Sequence, residues 1–120
     1  MEINQLTEIV IGRAFVVSNT LGVGYLEKVY ENALALELRD AGLKVELQKP
    51  IPVCYRGTVV GDYIADMIIE GALILEIKNA KAIDASHEAQ LLNYLKTTGI
   101  HYGLILNFGT PHLGIKRKAL

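Results

Sequence analysis

Residues 63–78, Tyr-Ile-Ala-Asp-Met-Ile-Ile-Glu-Gly-Ala-Leu-Ile-Leu-Glu-Ile-Lys, leave this chain few ways to fold. Two apolar runs flank Glu70-Gly71, a pair suited to a turn, so the stretch reads as a hairpin of two largely buried strands. Asp66 interrupts the first run, and Glu76 and Lys78 the second. A charge inside an apolar strand costs several kcal/mol unless it is paired or holds a metal. Any fold that buries this hairpin must therefore bring its charges a partner.

Register decides which partner. Residues two apart share a strand face, so Asp66 sides with Ile64, and Glu76 with Ile74 and Lys78. A two-residue turn would set Asp66 opposite Leu75, which faces away. A three-residue loop, Glu70-Gly71-Ala72, sets it opposite Glu76, and Gly71 can supply the left-handed backbone such loops use. The second register is expected. Opposed Cβ atoms lie about 4.5–5.5 Å apart, and two carboxylates that close repel unless a cation intervenes. Mg²⁺ suits an all-oxygen site and keeps waters for chemistry, with Lys78 on the same face as Glu76 to stabilise a scissile phosphate or an activated water. A buried ion triad, Lys78 neutralising both acids, explains the same residues equally well.

The rest of the chain supplies elements around the hairpin. Leu6, Ile9, Val10, Arg13, Ala14 and Val17 recur at helical spacing, giving a helix over Asn4 to Val17, broken by Ser18 to Gly24. A second helix is expected from Tyr25 to Asp40, capped at Gly42. Lys44 to Tyr55 alternates and carries Pro50 and Pro52, which mark an edge or bent strand. Thr58 to Ile69 and Ala72 to Lys78 make the hairpin. Asp84 caps a third helix ending near Thr98-Gly99, Ile100 to Phe108 is another strand, and Leu113 to Lys118 a short final segment.

Two helices aim polar groups at the hairpin. At about 100° per residue, Glu27 falls about 20° from Leu34 and Leu38, at the edge of the apolar stripe; an acid in a first turn also complements the helix dipole. His87, Gln90 and Tyr94 share a stripe of the third helix. Gln90 and Tyr94 can orient a carboxylate, a water or a phosphate oxygen, or simply form a solvated face. His87 is either a proton carrier near neutral pH or an exposed first-turn residue.

Composition narrows the function classes. At 120 residues, 51% of them hydrophobic and 21% charged, one domain spanning 1–120 is expected. No apolar run reaches the ~18 residues of a membrane helix, and no basic segment precedes a long apolar one at the start. A lone Cys54 excludes an internal disulfide; together these favour the cytoplasm. A net charge of −1 argues against holding nucleic acid by bulk charge alone. Lys78 with Lys81, and the run Lys116-Arg117-Lys118, are the local basic candidates, the latter also readable as a solvated tail.

Taken together these motifs resemble the PD-(D/E)xK nuclease superfamily. Its acid near the end of the second core strand matches Asp66, and its (D/E)-x-K matches Glu76-Ile77-Lys78. The branch similar to the RecB nuclease domain adds a helical glutamate, matching Glu27, and Gln-x-x-x-Tyr, matching Gln90 to Tyr94. Gly24-Tyr25-Leu26-Glu27-Lys28-Val29-Tyr30 resembles the signature of the small GxxExxY family, as do Asn19 to Gly22, Leu75 to Lys78, Gln90 to Lys96 and Asn107-Phe108-Gly109. The superfamily's proline before the acid is Ala65 here, and the near-neutral charge is unusual for a nuclease.

The resemblance implies an α/β fold: a restriction-endonuclease-like αβββαβ core after an extra N-terminal helix, with a central mixed sheet flanked by helices. It implies a Mg²⁺-dependent nuclease acting on nucleic acid, expected to be DNA, with Mn²⁺ able to substitute. Asp66, Glu76, the Ile77 main-chain carbonyl and Glu27, the last through water, would bind metal. Asp66, Glu76, Lys78 and Glu27 form the expected catalytic set, with Gln90 and Tyr94 positioning. A homodimer, or a larger assembly that supplies basic surface, is the expected context. The competing reading is a non-catalytic nucleic-acid-binding or assembly module whose acidic cluster is structural.

Overall fold

A computed structural model describes all 120 residues. Three helices and five strands follow one another as α1 (Ile3–Leu21), α2 (Glu27–Asp40), β1 (Val45–Tyr55), β2 (Thr58–Ile69), β3 (Leu73–Lys78), α3 (Ala85–Thr98), β4 (Tyr102–Asn107) and β5 (Gly114–Ala119). The strands form one sheet in the order β1-β2-β3-β4-β5. β3 and β4 run parallel with α3 as their crossover, and the other pairs are antiparallel. This is the mixed sheet flanked by helices that the motifs imply.

Both sheet faces are covered. α1 and α2 pack Leu6, Val10, Ala14, Tyr30, Leu34 and Leu38 against Leu73, Leu75, Ile77, Leu104 and Leu106. On the opposite face Leu91, Tyr94 and Leu95 of α3 pack against Ile68, Ile74 and Ile105. Alternation along β3 therefore sends Glu76 and Lys78 to the α3 side. Each edge strand is unattractive to further strands: β1 carries Pro50 and Pro52, and β5 carries Lys116, Arg117 and Lys118.

Several boundaries differ from the sequence expectation. α1 runs through Ser18, which is buried, and stops only at Gly22, whose φ is 70°. α2 begins at Glu27, because Tyr25 is held outside the helix: its N–H donates to the Tyr30 hydroxyl. The α2 cap is Ala41, with left-handed Gly42 just beyond. β4 begins at Tyr102, two residues after the expected Ile100, and the final segment is a full strand. In that strand Lys118 pairs with Glu88 at 2.5 Å and Arg117 lies over the Tyr102 ring, so the basic run is an edge strand rather than a tail.

Register at the hairpin is the longer-loop one. Ile69 pairs with Leu73, Ile68 with Ile74 and Met67 with Leu75, which brings Asp66 level with Glu76. There the β2–β3 ladder ends. Beyond it β2 continues paired only with β1, while β3 continues paired with β4, so the sheet forks. Along β1–β2 the pairing also skips Gln48, opposite Asp66, where φ is 51°. The register is the same on either side, yet the faces exchange: Val45 and Met67 face α1 and α2, whereas Ile51 and Ala65 face α3. One left-handed residue rotates the ribbon, and β1–β2 leaves the sheet as a two-stranded arm in which nothing from Pro52 to Ile64 is buried.

Candidate functional site

The fork holds the two acids of the hairpin. Where backbone pairing stops, the carboxylates replace it: the Asp66 N–H donates to Glu76 Oε2 at 2.9 Å, and the Ile77 N–H donates to Asp66 Oδ2 at 2.7 Å. Each acid thus uses one oxygen to grip the other's strand. The second oxygens, Asp66 Oδ1 and Glu76 Oε1, accept no hydrogen bond from the protein and are not sealed from solvent. Glu76 is 3% exposed.

This confinement raises the proton affinity of both acids. Burial, then the Asp66 charge, pushes Glu76 up to about 8. Asp66 is raised mainly by burial, against the lowering effect of the Ile77 N–H. The Glu76 carboxyl is therefore protonated in the metal-free fold at neutral pH, while in the unfolded chain it ionises near 4.5. Between those values the folded state holds a proton the unfolded state has lost, so stability falls as pH rises. In urea melts of metal-free protein the midpoint is expected to drop between pH 4.5 and about 8, the unfolding free energy falling by a few kcal/mol in all, and to level off above. A midpoint that climbs across this window would mean that Glu76 is ionised and paired. Carboxylates lowered by surface partners, Glu46, Asp84 and Glu88, act at lower pH with the opposite sign.

Lys78 pairs with neither acid. Its Nζ donates to Gln90 Oε1 at 3.2 Å, and the Gln90 amide donates to the Tyr94 hydroxyl at 2.9 Å. No ion pair joins Lys78 to Asp66 or Glu76, so the buried triad does not form. Gln90 and Tyr94 do stand beside the hairpin: burial and the Glu76 charge raise the Tyr94 phenol.

Glu27 reaches the site from the other face. Its stripe partners Tyr30, Leu34 and Leu38 are buried, but Glu27, the first residue of α2, clears the core and is exposed. Burial of its inner side and the Asp66 charge raise its pKa. No three acidic, histidine or cysteine side chains stand close enough to share an ion unaided. A cation there would rest on two carboxylates, main chain and water, a donor set suited to a hard divalent ion. The free Oδ1 and Oε1 atoms fit that demand. His87 is committed elsewhere: its Nδ1 accepts the Asp84 N–H at 3.2 Å, completing the α3 capping box.

Two site residues lie outside the sequence reading. Glu31, 3% exposed, takes the Lys28 ammonium at 2.6 Å and the Gln48 amide at 2.5 Å. Among charges that act on Asp66, Glu31 is the strongest. Its spacing of four from Glu27 was visible, but its partner Gln48 depends on a left-handed strand residue that no pattern announces.

A frame fixes these elements. The Tyr30 hydroxyl donates to the Gly22 carbonyl at 2.6 Å, and its ring stacks on Phe108 at 5.0 Å. Asn79 donates to the Tyr25 carbonyl at 2.8 Å. Buried Asn107 accepts the N–H groups of Ala80 and Gly109 and donates to the Ala80 carbonyl. The loop that presents Glu27 and the loop that follows Lys78 are thereby tied to the end of β4.

The model of the PD-(D/E)XK nuclease superfamily matches residues 4–118. The chain belongs to that superfamily. The solved structure of SSO0001 superposes on this PD-(D/E)XK domain with a TM-score of 0.60 over 97% of the chain, at 20% identity, which speaks to the fold alone. The chain spans 58% of the length of SSO0001. No curated protein matches it. Superfamily membership is consistent with a nuclease-type site at the fork. No helix is long and apolar enough to cross a membrane.

Proposed function

We propose that this PD-(D/E)XK domain is a Mg²⁺-dependent nuclease that hydrolyses phosphodiester bonds, with DNA the expected polymer and Mn²⁺ a substitute ion. The observation that carries the reading is the braced acid pair, with one open oxygen on each acid and a lysine that neutralises neither. Asp66, Glu76 and the Ile77 carbonyl would hold the ion, with Glu27 reaching it through water. Bound there, the ion would supply Lewis acidity and a water of lowered pKa. Lys78, steered by Gln90 and Tyr94, is set to meet the charge that develops on the phosphate or the attacking water. The resemblance to the GxxExxY signature fits the frame around Tyr30, since its glycine, acid and tyrosine span the loop and first turn that present Glu27.

The net charge of −1 favours a second reading, a binding or assembly module that keeps the acid pair as structure. Under the first reading, a larger assembly would supply basic surface, or a homodimer would engage a duplex. Calorimetric titration with Mg²⁺ and Mn²⁺, followed by incubation with end-labelled single-stranded, duplex and branched substrates, separates the two. Ion binding with cleavage is expected. Ion binding lost along with all cleavage would leave the second reading.

A further inference from the structure

The arm and α3 enclose a groove of about 1080 Å³. It is lined from the arm by Val53, Cys54 and Tyr63, and from α3 chiefly by Gln90, Tyr94 and Lys96. Gln90 and Tyr94, which line it, are also the pair that holds Lys78, so the groove borders the lysine side of the fork.

Two features say what the groove takes. First, none of its lining residues is acidic, although the chain has 13 acids, and Lys96 supplies a cation. A polyanion can lie there without meeting a like charge. Second, Tyr63 is 51% exposed and leans on Tyr94, with ring centroids 6.0 Å apart. An exposed aromatic face beside polar groups is what an unpaired base stacks on.

We propose that this groove seats a single strand of nucleic acid, DNA or RNA, with a base stacked on Tyr63 and the backbone passing Lys96 toward the Asp66–Glu76 pair. The proposal deepens the nuclease reading and rests on it for the direction of travel, but strand binding itself needs neither metal nor cleavage.

Fluorescence anisotropy in EDTA tests it, using labelled twelve-residue oligo-dT, oligo-U and a blunt duplex of equal length. Wild-type protein is expected to bind the single strands more tightly than the duplex. Tyr63→Ala should weaken strand binding about tenfold, the scale of one lost stacking contact, leave duplex binding unmoved and keep the wild-type melting temperature. Tyr63→Trp should restore strand binding. Lys96→Ala should reduce the salt dependence of strand binding by about one counterion. Duplex preference, no strand binding, or strand binding indifferent to Tyr63 would each overturn the proposal. Strand binding through Tyr63 without cleavage in Mn²⁺ would sink the nuclease reading and keep the groove. Duplex cleavage with a Tyr63-indifferent strand would do the reverse.

Discussion

Glu76→Gln is expected to abolish metal-dependent cleavage while making the metal-free protein harder to unfold at pH 8. Glutamine keeps an oxygen for the Asp66 N–H, so the brace between the strands survives. What it removes is the charge an ion would need. Losing several kcal/mol of charge stabilisation at the phosphate corresponds to a rate loss of at least about 10³-fold. The same substitution deletes a carboxyl that must give up its favoured proton as pH rises, its value standing at about 8 in the fold. Stability at pH 8 should rise by about 1–3 kcal/mol, and the pH dependence between 4.5 and 8 should flatten. Single-turnover assays in Mn²⁺ and urea melts at two pH values give both readings. Unimpaired cleavage would remove Glu76 from the site, and a loss of stability at pH 8 would point to a paired, ionised Glu76. Opposite signs for activity and stability are the mark of a group kept for function.

Gly109→Ala should be the most damaging single methyl group in the chain. The added Cβ would stand 2.3 Å from the Ala80 carbonyl oxygen and 2.5 Å from its nitrogen. Both are backbone atoms, and both are bonded to the Asn107 side chain, which is 1% exposed. Moving Ala80 away strands a buried amide. With each unsatisfied group costing about 1–3 kcal/mol, the total is about 3–5 kcal/mol, or roughly 10–20 °C in melting temperature for a chain this size. Ala80 lies two residues past Lys78, whose carbonyl accepts the Phe108 N–H, so whatever protein folds should also misplace the lysine. Gly12→Ala is the natural contrast. Gly12 sits mid-helix on an exposed face with nothing within 4 Å of the new atom, and the change should stabilise by about 0.5–1 kcal/mol. Thermal melts that rank the two variants together would remove the close approach at Gly109 as a constraint.

Periodicity and punctuation carried most of the fold. Asp84 caps α3, the β2 bounds are Thr58 and Ile69, and the prolines mark an edge strand, because each of these is decided by a few neighbouring residues. The hairpin register was legible for a sharper reason: two buried acids had to meet or avoid each other, and a one-residue slip would have changed which. Local signals failed where a distant contact overruled them. Ser18 and Asn19 look like a helix stop, yet burial of Ser18 carries α1 onward. Glu27 shares a stripe with buried leucines, but position at the helix start leaves it in solvent. For His87 the stripe left two readings open, proton carrier or plain first-turn residue, and the capping box decides for the helix start. The exchange of faces at Gln48 could not be foreseen, since alternation assumes extended backbone throughout.

The fork also divides the molecule by rigidity. Inward of Asp66 the strands are clamped between helices on both faces, whereas outward the arm is a two-stranded ribbon steadied only from the α3 side, as at Tyr63 and Tyr94, and such a ribbon is barely stable by itself in water. The acid pair straddles the seam between a stiff unit and a compliant one. Small flexing of the arm would be felt first at Asp66, as a change in the spacing of the two carboxylates, long before it registered as unfolding.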